Sequence, residues 1–163
     1  MDDRDLEQFL DAHGVAGEVI RLPEHTPTVE AAAQVMGTSV ERITKSLLFL
    51  LDGGAGEPMP ILVIANGTDR VDYRRVAEHV GLSRKRVRLA EADVVRAVTG
   101  YPVGGVPPLG HLRPLRTLMD RRLLQQPEVF AGGGAVDALL RITPAEIMRA
   151  TGAETVDVVA EGR

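Results

Sequence analysis

Apolar residues in the first part of the chain recur at the spacing of one helix face. Leu6, Phe9 and Leu10 share such a face within residues 3–13, and Gly14 is a residue type that commonly ends a helix. Four further helices are predicted along the chain, most of them from capping residues at the start and glycines at the end. They run from Thr26 or Thr28 to Gly37, from Asp72 to Val80, over Glu91–Val98 and from Thr143 to Gly152.

Segments with nearly continuous apolar residues are predicted to be strands. Ile43–Leu51 (ITKSLLFLL) and Pro60–Ala65 (PILVIA) are typical of central strands that are buried on both faces. The glycine-rich residues Asp52–Glu57 between them predict a hairpin. Other strands are predicted over Gly17–Leu22, Arg86–Leu89, Leu115–Met119, Val129–Ala131, Leu139–Ile142 and Val156–Val159. This order predicts one mixed α and β domain over residues 1–163, with helices packed against a mostly β core.

Composition places the chain among ordinary globular proteins. Its 163 residues are enough for one hydrophobic core, and 44% of them are apolar while only 3% are aromatic. The chain has no cysteine, which excludes a disulfide scaffold, a thiolate nucleophile and a cysteine metal site. The acidic start MDDRDLEQFL lacks the apolar region of a signal peptide, and no run approaches the roughly 20 apolar residues of a membrane span. We therefore expect a cytoplasmic protein without a membrane partner.

Basic residues are concentrated in the middle of the chain, although the net charge is −4. Residues 70–122 hold 12 Lys or Arg against 5 Asp or Glu, whereas both flanking segments are acidic. Such a local excess of positive charge can form a surface for a polyanion. Alternatively, these arginines pair with acids elsewhere in the fold, and the charge count alone does not separate the two interpretations.

Lys45 is the first candidate functional side chain, because the chain has 17 arginines and only two lysines. It lies inside an apolar strand, where alternation places it on the same face as Ile43, Leu47 and Phe49. Its ammonium group must therefore reach water from the strand end or point into a polar pocket. In a pocket it would act as a compact point charge against a carbonyl or phosphate oxygen.

The segment TGYPVGGVPPLG, residues 99–110, combines four glycines and three prolines with apolar residues. Its paired glycines allow backbone N–H groups to approach a ligand, because no Cβ blocks the way. Pro107 and Pro108 would stiffen the backbone that follows. A rigid loop with exposed N–H groups suits an oxyanion or a carboxyl group, although a tight crossover between strands explains the same residues. Ala131-Gly132-Gly133-Gly134 is a weaker candidate for a second backbone wall, with a plain turn as the alternative.

The remaining polar residues match no familiar catalytic template. His13, His25, His79 and His111 lack the paired spacing of metal ligands, and no GxSxG motif supports a serine triad. We therefore predict no metal site and no cofactor. His25 and His111 are placed to border a pocket, although most histidines in such loops are surface residues.

Three features occur in one order: Lys45 within ITKSLLF, the loop TGYPVGGVPPLG, and FAGGG ahead of the RITPAEI helix. Together they resemble the YbaK / prolyl-tRNA synthetase-associated domain family of aminoacyl-tRNA deacylases, over most of the chain from Leu22 to Thr151. The resemblance implies a compact α/β (mixed α+β) domain with a mostly antiparallel, barrel-like mixed sheet surrounded by helices. It also implies that a free-standing protein hydrolyses a small amino acid wrongly esterified to tRNA, typically tRNA for proline. Mischarged tRNA and prolyl-tRNA synthetase are the partners that it suggests.

The resemblance assigns roles to individual residues. The functional lysine of the family matches Lys45, which would contact the aminoacyl carbonyl or the terminal adenosine phosphate. The GxxxP motif of the family matches Gly104-Gly105-Val106-Pro107-Pro108, where the backbone of Gly104 would hold the carbonyl group. Its neighbours would shape the amino-acid pocket. Because the ester is already activated, the expected nucleophile is a water molecule oriented by the ribose hydroxyl of the substrate, or a side-chain group of the substrate itself.

Two positions nearer the end of the chain complete the expected site. Ala131-Gly132-Gly133 stands where some family members carry Ser-Gly-Gly, so a hydrogen bond from that serine is missing here. Asp137 matches an acidic residue of relatives, with ambiguous spacing. The missing hydroxyl keeps a second hypothesis open, a tRNA- or nucleotide-binding module of the same fold that leaves the ester intact. A small-molecule esterase that uses the same pocket is a third.

Overall fold

The computed structural model describes residues 1–23 and 26–160 of the chain. The helices within them are α1 (Asp3–His13), α2 (Val29–Met36), α3 (Tyr73–Val80), α4 (Ala92–Thr99) and α5 (Pro144–Thr151). The strands are β1 (Gly17–Arg21), β2 (Thr44–Leu51), β3 (Met59–Asn66), β4 (Val87–Leu89), β5 (Arg116–Asp120), β6 (Val129–Gly132), β7 (Ala138–Ile142) and β8 (Glu154–Val156). None of the helices in these ranges is long and apolar enough to span a bilayer.

The helix boundaries follow from local capping signals, as predicted. The side chains of Asp2, Thr28, Asp72 and Thr143 accept hydrogen bonds from the first N–H groups of α1, α2, α3 and α5. A glycine in the left-handed conformation ends each described helix. These glycines are Gly14, Gly37, Gly81, Gly100 and Gly152.

The strands of the described residues form two sheets. The smaller sheet has the order β1-β7-β6 and is antiparallel, whereas the larger has the order β4-β2-β3-β5-β8. β2 and β3 form the predicted antiparallel hairpin, and β5 and β8 extend the larger sheet through parallel pairs. The predicted mixed α and β fold is therefore confirmed.

The two sheets do not close into the expected barrel-like arrangement. Among the described residues, one isolated parallel bridge, between Ile43 and Phe130, joins the start of β2 to β6. Beyond this bridge Gly132 lies so close to the loop of residues 99–110 that an added Cβ would approach the carbonyl oxygen of Val106 to 2.1 Å. The loop thus packs directly against the end of β6.

The last strand lies earlier in the chain than predicted. It covers Glu154–Val156, whereas the apolar pattern predicts Val156–Val159. Strand β8 pairs with β5 up to Asp120, after which the chain leaves the sheet. Val158 and Val159 are fully buried against the segment ahead of α3, where Val159 forms an isolated antiparallel bridge with Val71 and neither residue belongs to the larger sheet.

The larger sheet is buried on both faces, as predicted for β2 and β3. Leu48, Leu62 and Ile64 face a core that includes residues of α1, α4 and α5. Phe49 and Ile61 face a second core that includes residues of α3. Burying a large apolar side chain stabilises the folded state by about 1.5–3 kcal/mol. The two central strands therefore provide a rigid support for the side chains at their edges.

Candidate active site

A pocket of about 310 Å³ opens at the edge of β2. Strand β4 pairs only with Phe49–Leu51, so the earlier part of β2 lines the pocket instead. The opposite wall is the loop of residues 99–110 together with the end of β6. The lining residues are Thr44, Lys45, Ser46, Leu47, Leu48, Leu89, Ala90, Val95, Val103, Gly104, Val106 and Gly132.

Lys45 lines this pocket with its ammonium group held near the end of the sheet. Its Nζ donates a hydrogen bond of 2.5 Å to the carbonyl oxygen of Asp69, in the turn after β3. Among the described residues Nζ makes no other hydrogen bond or ion pair, so two ammonium protons have no protein acceptor. Burial lowers the pKa of the amine, and the nearby Asp69 carboxylate opposes that shift. Lys45 therefore borders the pocket with donors to spare for a ligand oxygen.

The glycine–proline loop reaches the pocket through a tight turn. The N–H of Gly105 donates to the carbonyl oxygen of Pro102 at 2.9 Å, which closes a turn of four residues. Gly104 is the third residue of this turn and has a φ of +90°, a conformation that residues with side chains disfavour. The turn thus requires glycine at the position where bare backbone meets the pocket.

The loop is anchored through its carbonyl groups. The carbonyl oxygen of Gly105 accepts a hydrogen bond of 2.8 Å from the N–H of Gly134. The carbonyl oxygen of Pro107 lies 2.8 Å from ring Nε2 of His111. These contacts tie the loop to the β6–β7 turn on one side and to its own C-terminal end on the other, which gives it the predicted rigidity.

Two backbone N–H groups of the loop remain available at the pocket. They belong to Gly104 and Val106, both lining residues, and neither has a hydrogen-bond partner among the residues that the structure describes. Backbone N–H groups in a preorganised loop are typical donors to a developing oxyanion. The pocket therefore combines a cation on one wall with free N–H donors on the other.

Four residues of the sequence-based site prediction line the pocket: Lys45, Gly104, Val106 and Gly132. The strand and the loop that carry the first two are distant in sequence, and only the fold brings them to one cavity. The other predicted residues lie outside the lining. These are Gly105, Pro107, Pro108, Ala131, Gly133 and Asp137.

The residues outside the lining have identifiable positions in the fold. Pro107 and Pro108 are buried residues of the loop itself, and Ala131 is fully buried in the core. Gly133 packs so tightly that an added Cβ would lie 2.5 Å from the backbone of Ala138. Asp137 is exposed. Its backbone carbonyl oxygen accepts a hydrogen bond from the N–H of Leu22, directly after β1. Position 131 is thus a core position here, and its alanine leaves no gap in the pocket wall.

Two hydroxyl side chains of the pocket are absent from the sequence-based prediction. Thr44 and Ser46 flank Lys45 on β2, and alternation places them on the opposite face of the strand. The side-chain oxygens of both are buried without a hydrogen-bond partner among the described residues. Leaving a buried hydroxyl unpaired costs about 1–3 kcal/mol, which is unusual away from a functional site. In the sequence, Thr44 and Ser46 can be recognised because they are hydroxyl residues within an otherwise apolar strand.

None of the histidines that the structure describes lines the pocket. His111 borders a second cavity of about 220 Å³ behind the loop, and His25 lies outside the described residues. Across residues 1–23 and 26–160, no group of three or more His, Asp or Glu side chains is arranged to hold a metal ion.

Some basic residues of the middle segment pair with acids elsewhere in the fold, whereas others remain available to a polyanion. Arg116 forms an ion pair of 2.8 Å with Glu154. Lys85 and Arg88 are exposed and have no ion-pair partner in the described part of the chain. Arg88 lies on β4 next to Leu89, which lines the pocket, so this strand carries an exposed and unpaired positive charge.

Comparison with known proteins places this chain in a family. The model of the aminoacyl-tRNA editing domain matches residues 23–150. The chain belongs to this family. The editing domain is 30% identical over 130 residues to the uncharacterized protein YwhH of Bacillus subtilis (strain 168), which covers 80% of the chain and 78% of the relative.

The editing domain also resembles part of a synthetase and a solved structure. It is 31% identical over 108 residues to the proline–tRNA ligase of Burkholderia mallei (strain SAVP1), a match that covers 66% of the chain and only 18% of the ligase. It superposes with a TM-score of 0.87 and 38% identity on the crystal structure of a "putative trans-editing enzyme for prolyl tRNA synthetase". That superposition covers 98% of the chain and 97% of its neighbour. The family suggested by the sequence motifs is therefore confirmed.

Proposed function

We propose that this editing domain is a trans-acting deacylase that hydrolyses the ester between a small non-cognate amino acid and tRNA. The observation that carries the proposal is the meeting of Lys45 and the Gly104 loop in one pocket of about 310 Å³. A cation and free backbone N–H groups on facing walls suit an ester that gains negative charge on its carbonyl oxygen during attack.

The proposed chemistry needs no protein nucleophile. Water attacks the ester carbonyl carbon, and the oxyanion that forms is bound by the N–H groups of Gly104 and Val106. The ammonium group of Lys45 binds the same oxygen or a phosphate of the terminal nucleotide. The ribose oxygen leaves as a hydroxyl after it takes a proton from solvent, and the amino acid leaves as a carboxylate. Positioning and charge stabilisation thus supply the catalysis.

The size and walls of the pocket favour a small amino acid. A volume of about 310 Å³ is at the lower end of ligand sites. Leu48, Val95 and Val106 make much of the wall apolar. We propose alanine, serine or cysteine as the amino acids to test, because they differ by few atoms.

The proposed nucleic-acid substrate is tRNA for proline, and its proposed protein partner is prolyl-tRNA synthetase. The resemblance to part of a proline–tRNA ligase supports this choice. The exposed Lys85 and Arg88 are the cations that we propose to contact phosphates near the 3′ end of the tRNA, because Arg88 lies on the strand whose Leu89 lines the pocket.

The test is the rate of deacylation of tRNA for proline charged with alanine, serine or cysteine. Lys45→Met keeps the length of the side chain and removes its charge, so we expect a rate at least about 100-fold lower with the fold intact. Arg141→Ala is the control for loss of a cation, because Arg141 lies on β7 and pairs with Glu128 away from the pocket.

Three outcomes would contradict the proposal in different ways. A normal rate in Lys45→Met would show that Lys45 takes no part in the reaction. A wild-type protein that shifts tRNA on a gel but leaves every ester intact would be a binding module. Equal rates on charged tRNA and on a simple aminoacyl ester would instead indicate a small-molecule esterase.

A further inference from the structure

His111 supports the loop from the side away from the pocket. Its ring Nε2 lies 2.8 Å from the carbonyl oxygen of Pro107. A carbonyl oxygen can only accept a hydrogen bond, so the hydrogen must lie on Nε2. Burial lowers the pKa of the imidazole, which favours the neutral ring. His111 is therefore a donor with a defined tautomer.

The loop has few other anchors at this point. Pro107 and Pro108 have no N–H group, so hydrogen bonds can hold this backbone only through its carbonyl oxygens. On the other side of Val106, the carbonyl oxygen of Gly105 accepts from the N–H of Gly134. The bonds at Gly105 and Pro107 therefore enclose Val106 and together fix the orientation of its peptide groups.

Val106 is where this orientation matters for the pocket. It lines the pocket, its N–H has no partner among the described residues, and its carbonyl group lies against Gly132. A rotation of this peptide would turn the free N–H away from the bound ester.

We propose that His111 is a positioning residue of the editing reaction. Its hydrogen bond to Pro107 holds the N–H group of Val106 in the orientation that binds the oxyanion of the ester. The inference rests on the proposed function and extends the site to a side chain that does not touch the substrate.

The surroundings of His111 supply a control that separates this hydrogen bond from packing. The ring borders the second cavity and lies edge-on to Tyr101, with 6.3 Å between ring centroids. The hydroxyl of the fully buried Tyr101 donates to the carbonyl oxygen of Gly110 at 3.0 Å, at the far end of the same loop. Tyr101→Phe therefore removes a loop hydrogen bond without affecting Pro107.

The test compares His111→Gln with His111→Met, two side chains of similar length of which only glutamine can donate to Pro107. We expect His111→Met to lower kcat at least about tenfold with KM within about twofold, because a transition-state interaction is lost. His111→Gln should keep kcat within about threefold of the wild type. Tyr101→Phe should lower the melting temperature and leave kcat near the wild-type value.

A wild-type kcat in His111→Met, or an equal loss in both His111 variants, would overturn the proposal. ¹⁵N NMR of histidine-labelled wild-type protein tests the donor without any variant: a proton on Nε2 is expected, and a proton on Nδ1 would overturn the assignment. If the wild type hydrolyses no charged tRNA, the proposed function fails separately. Hydrogen exchange at the Gly134 amide, which donates to the carbonyl oxygen of Gly105, then decides: faster exchange in the methionine variant is expected, and equal exchange would contradict the role.

Discussion

At the scale of single residues, glycine decides how closely the loop can approach the smaller sheet. An added Cβ on Gly132 would lie 2.1 Å from the carbonyl oxygen of Val106, and one on Gly105 would lie 3.0 Å from the backbone of Ala135. Both neighbours are backbone atoms, which cannot move aside as a flexible side chain can. The pocket therefore depends on two backbones that only glycine allows to meet.

Gly132→Ala is expected to destabilise the protein and to distort the pocket wall. Separating two packed backbones costs about 1–3 kcal/mol, so the free energy of unfolding in urea should fall by about that amount. Gly53→Ala is the matched control, because an added Cβ there meets nothing within 4 Å. An unfolding free energy for Gly132→Ala equal to that of Gly53→Ala would show that the loop and β6 are not in close contact.

At the scale of elements, the short strand β8 depends on charged contacts as well as on its pairing with β5. Glu154 binds Arg116 of β5 at 2.8 Å and the ring Nε2 of His79 of α3 at 3.0 Å. Hydrogen bonds from Arg116 and then from His79 lower the pKa of the Glu154 carboxyl from 4.5 to about 2. A strand of three residues is thereby tied to its sheet and to the helix that packs on it.

The lowered pKa of Glu154 predicts a specific pH dependence of stability. A carboxyl whose pKa is depressed by folding stabilises the protein above pH 4.5, and this contribution is lost as the pH falls toward 2. Because Glu154 is 40% exposed, we expect Glu154→Gln to cost less than about 1 kcal/mol at pH 6. Urea unfolding at pH 6, 4 and 3 should show that the unfolding free energy of the variant falls less on acidification than that of the wild type. Parallel curves for both proteins would argue against these contacts.

At the scale of the whole molecule, the net charge conceals a useful asymmetry. The chain carries a net charge of −4, yet Lys85 and Arg88 lie exposed in its basic middle segment without an ion-pair partner among the described residues. A long polyanion responds to the local field of the surface that it contacts and less to the total charge. An acidic protein can therefore present a basic approach to one site.

Arg88→Ala is expected to lower the affinity for tRNA and to make that affinity less dependent on salt concentration. Loss of one phosphate contact should lower the slope of log affinity against log salt concentration by about one. Arg141, which pairs with Glu128 at 2.9 Å on the smaller sheet, supplies the control Arg141→Ala. Binding measured between low and moderate salt should separate the two variants. The same slope in both would place the tRNA on another surface.

Local signals account for most of the agreement between the sequence and the fold. Asp2, Thr28, Asp72 and Thr143 cap helices within a residue or two of the predicted starts. The prediction is wrong for the last strand, because apolar residues such as Val158 are buried without pairing. The barrel-like closure is also wrong, since sheet closure depends on contacts between segments far apart in the chain.

The sequence by itself determined the helices, the β2–β3 hairpin and the chemical character of the two candidate site segments. Capping, turn formation and backbone freedom are properties of a few neighbouring residues, so they can be read from Lys45 and from the glycine–proline loop directly. Only the tertiary structure decided which backbone groups face the pocket. It ties the carbonyl oxygens of the loop to Gly134 and His111, leaves the N–H groups of Gly104 and Val106 without a partner among the described residues, and brings Thr44 and Ser46 to the same pocket. These outcomes depend on packing between distant segments, which no local pattern specifies.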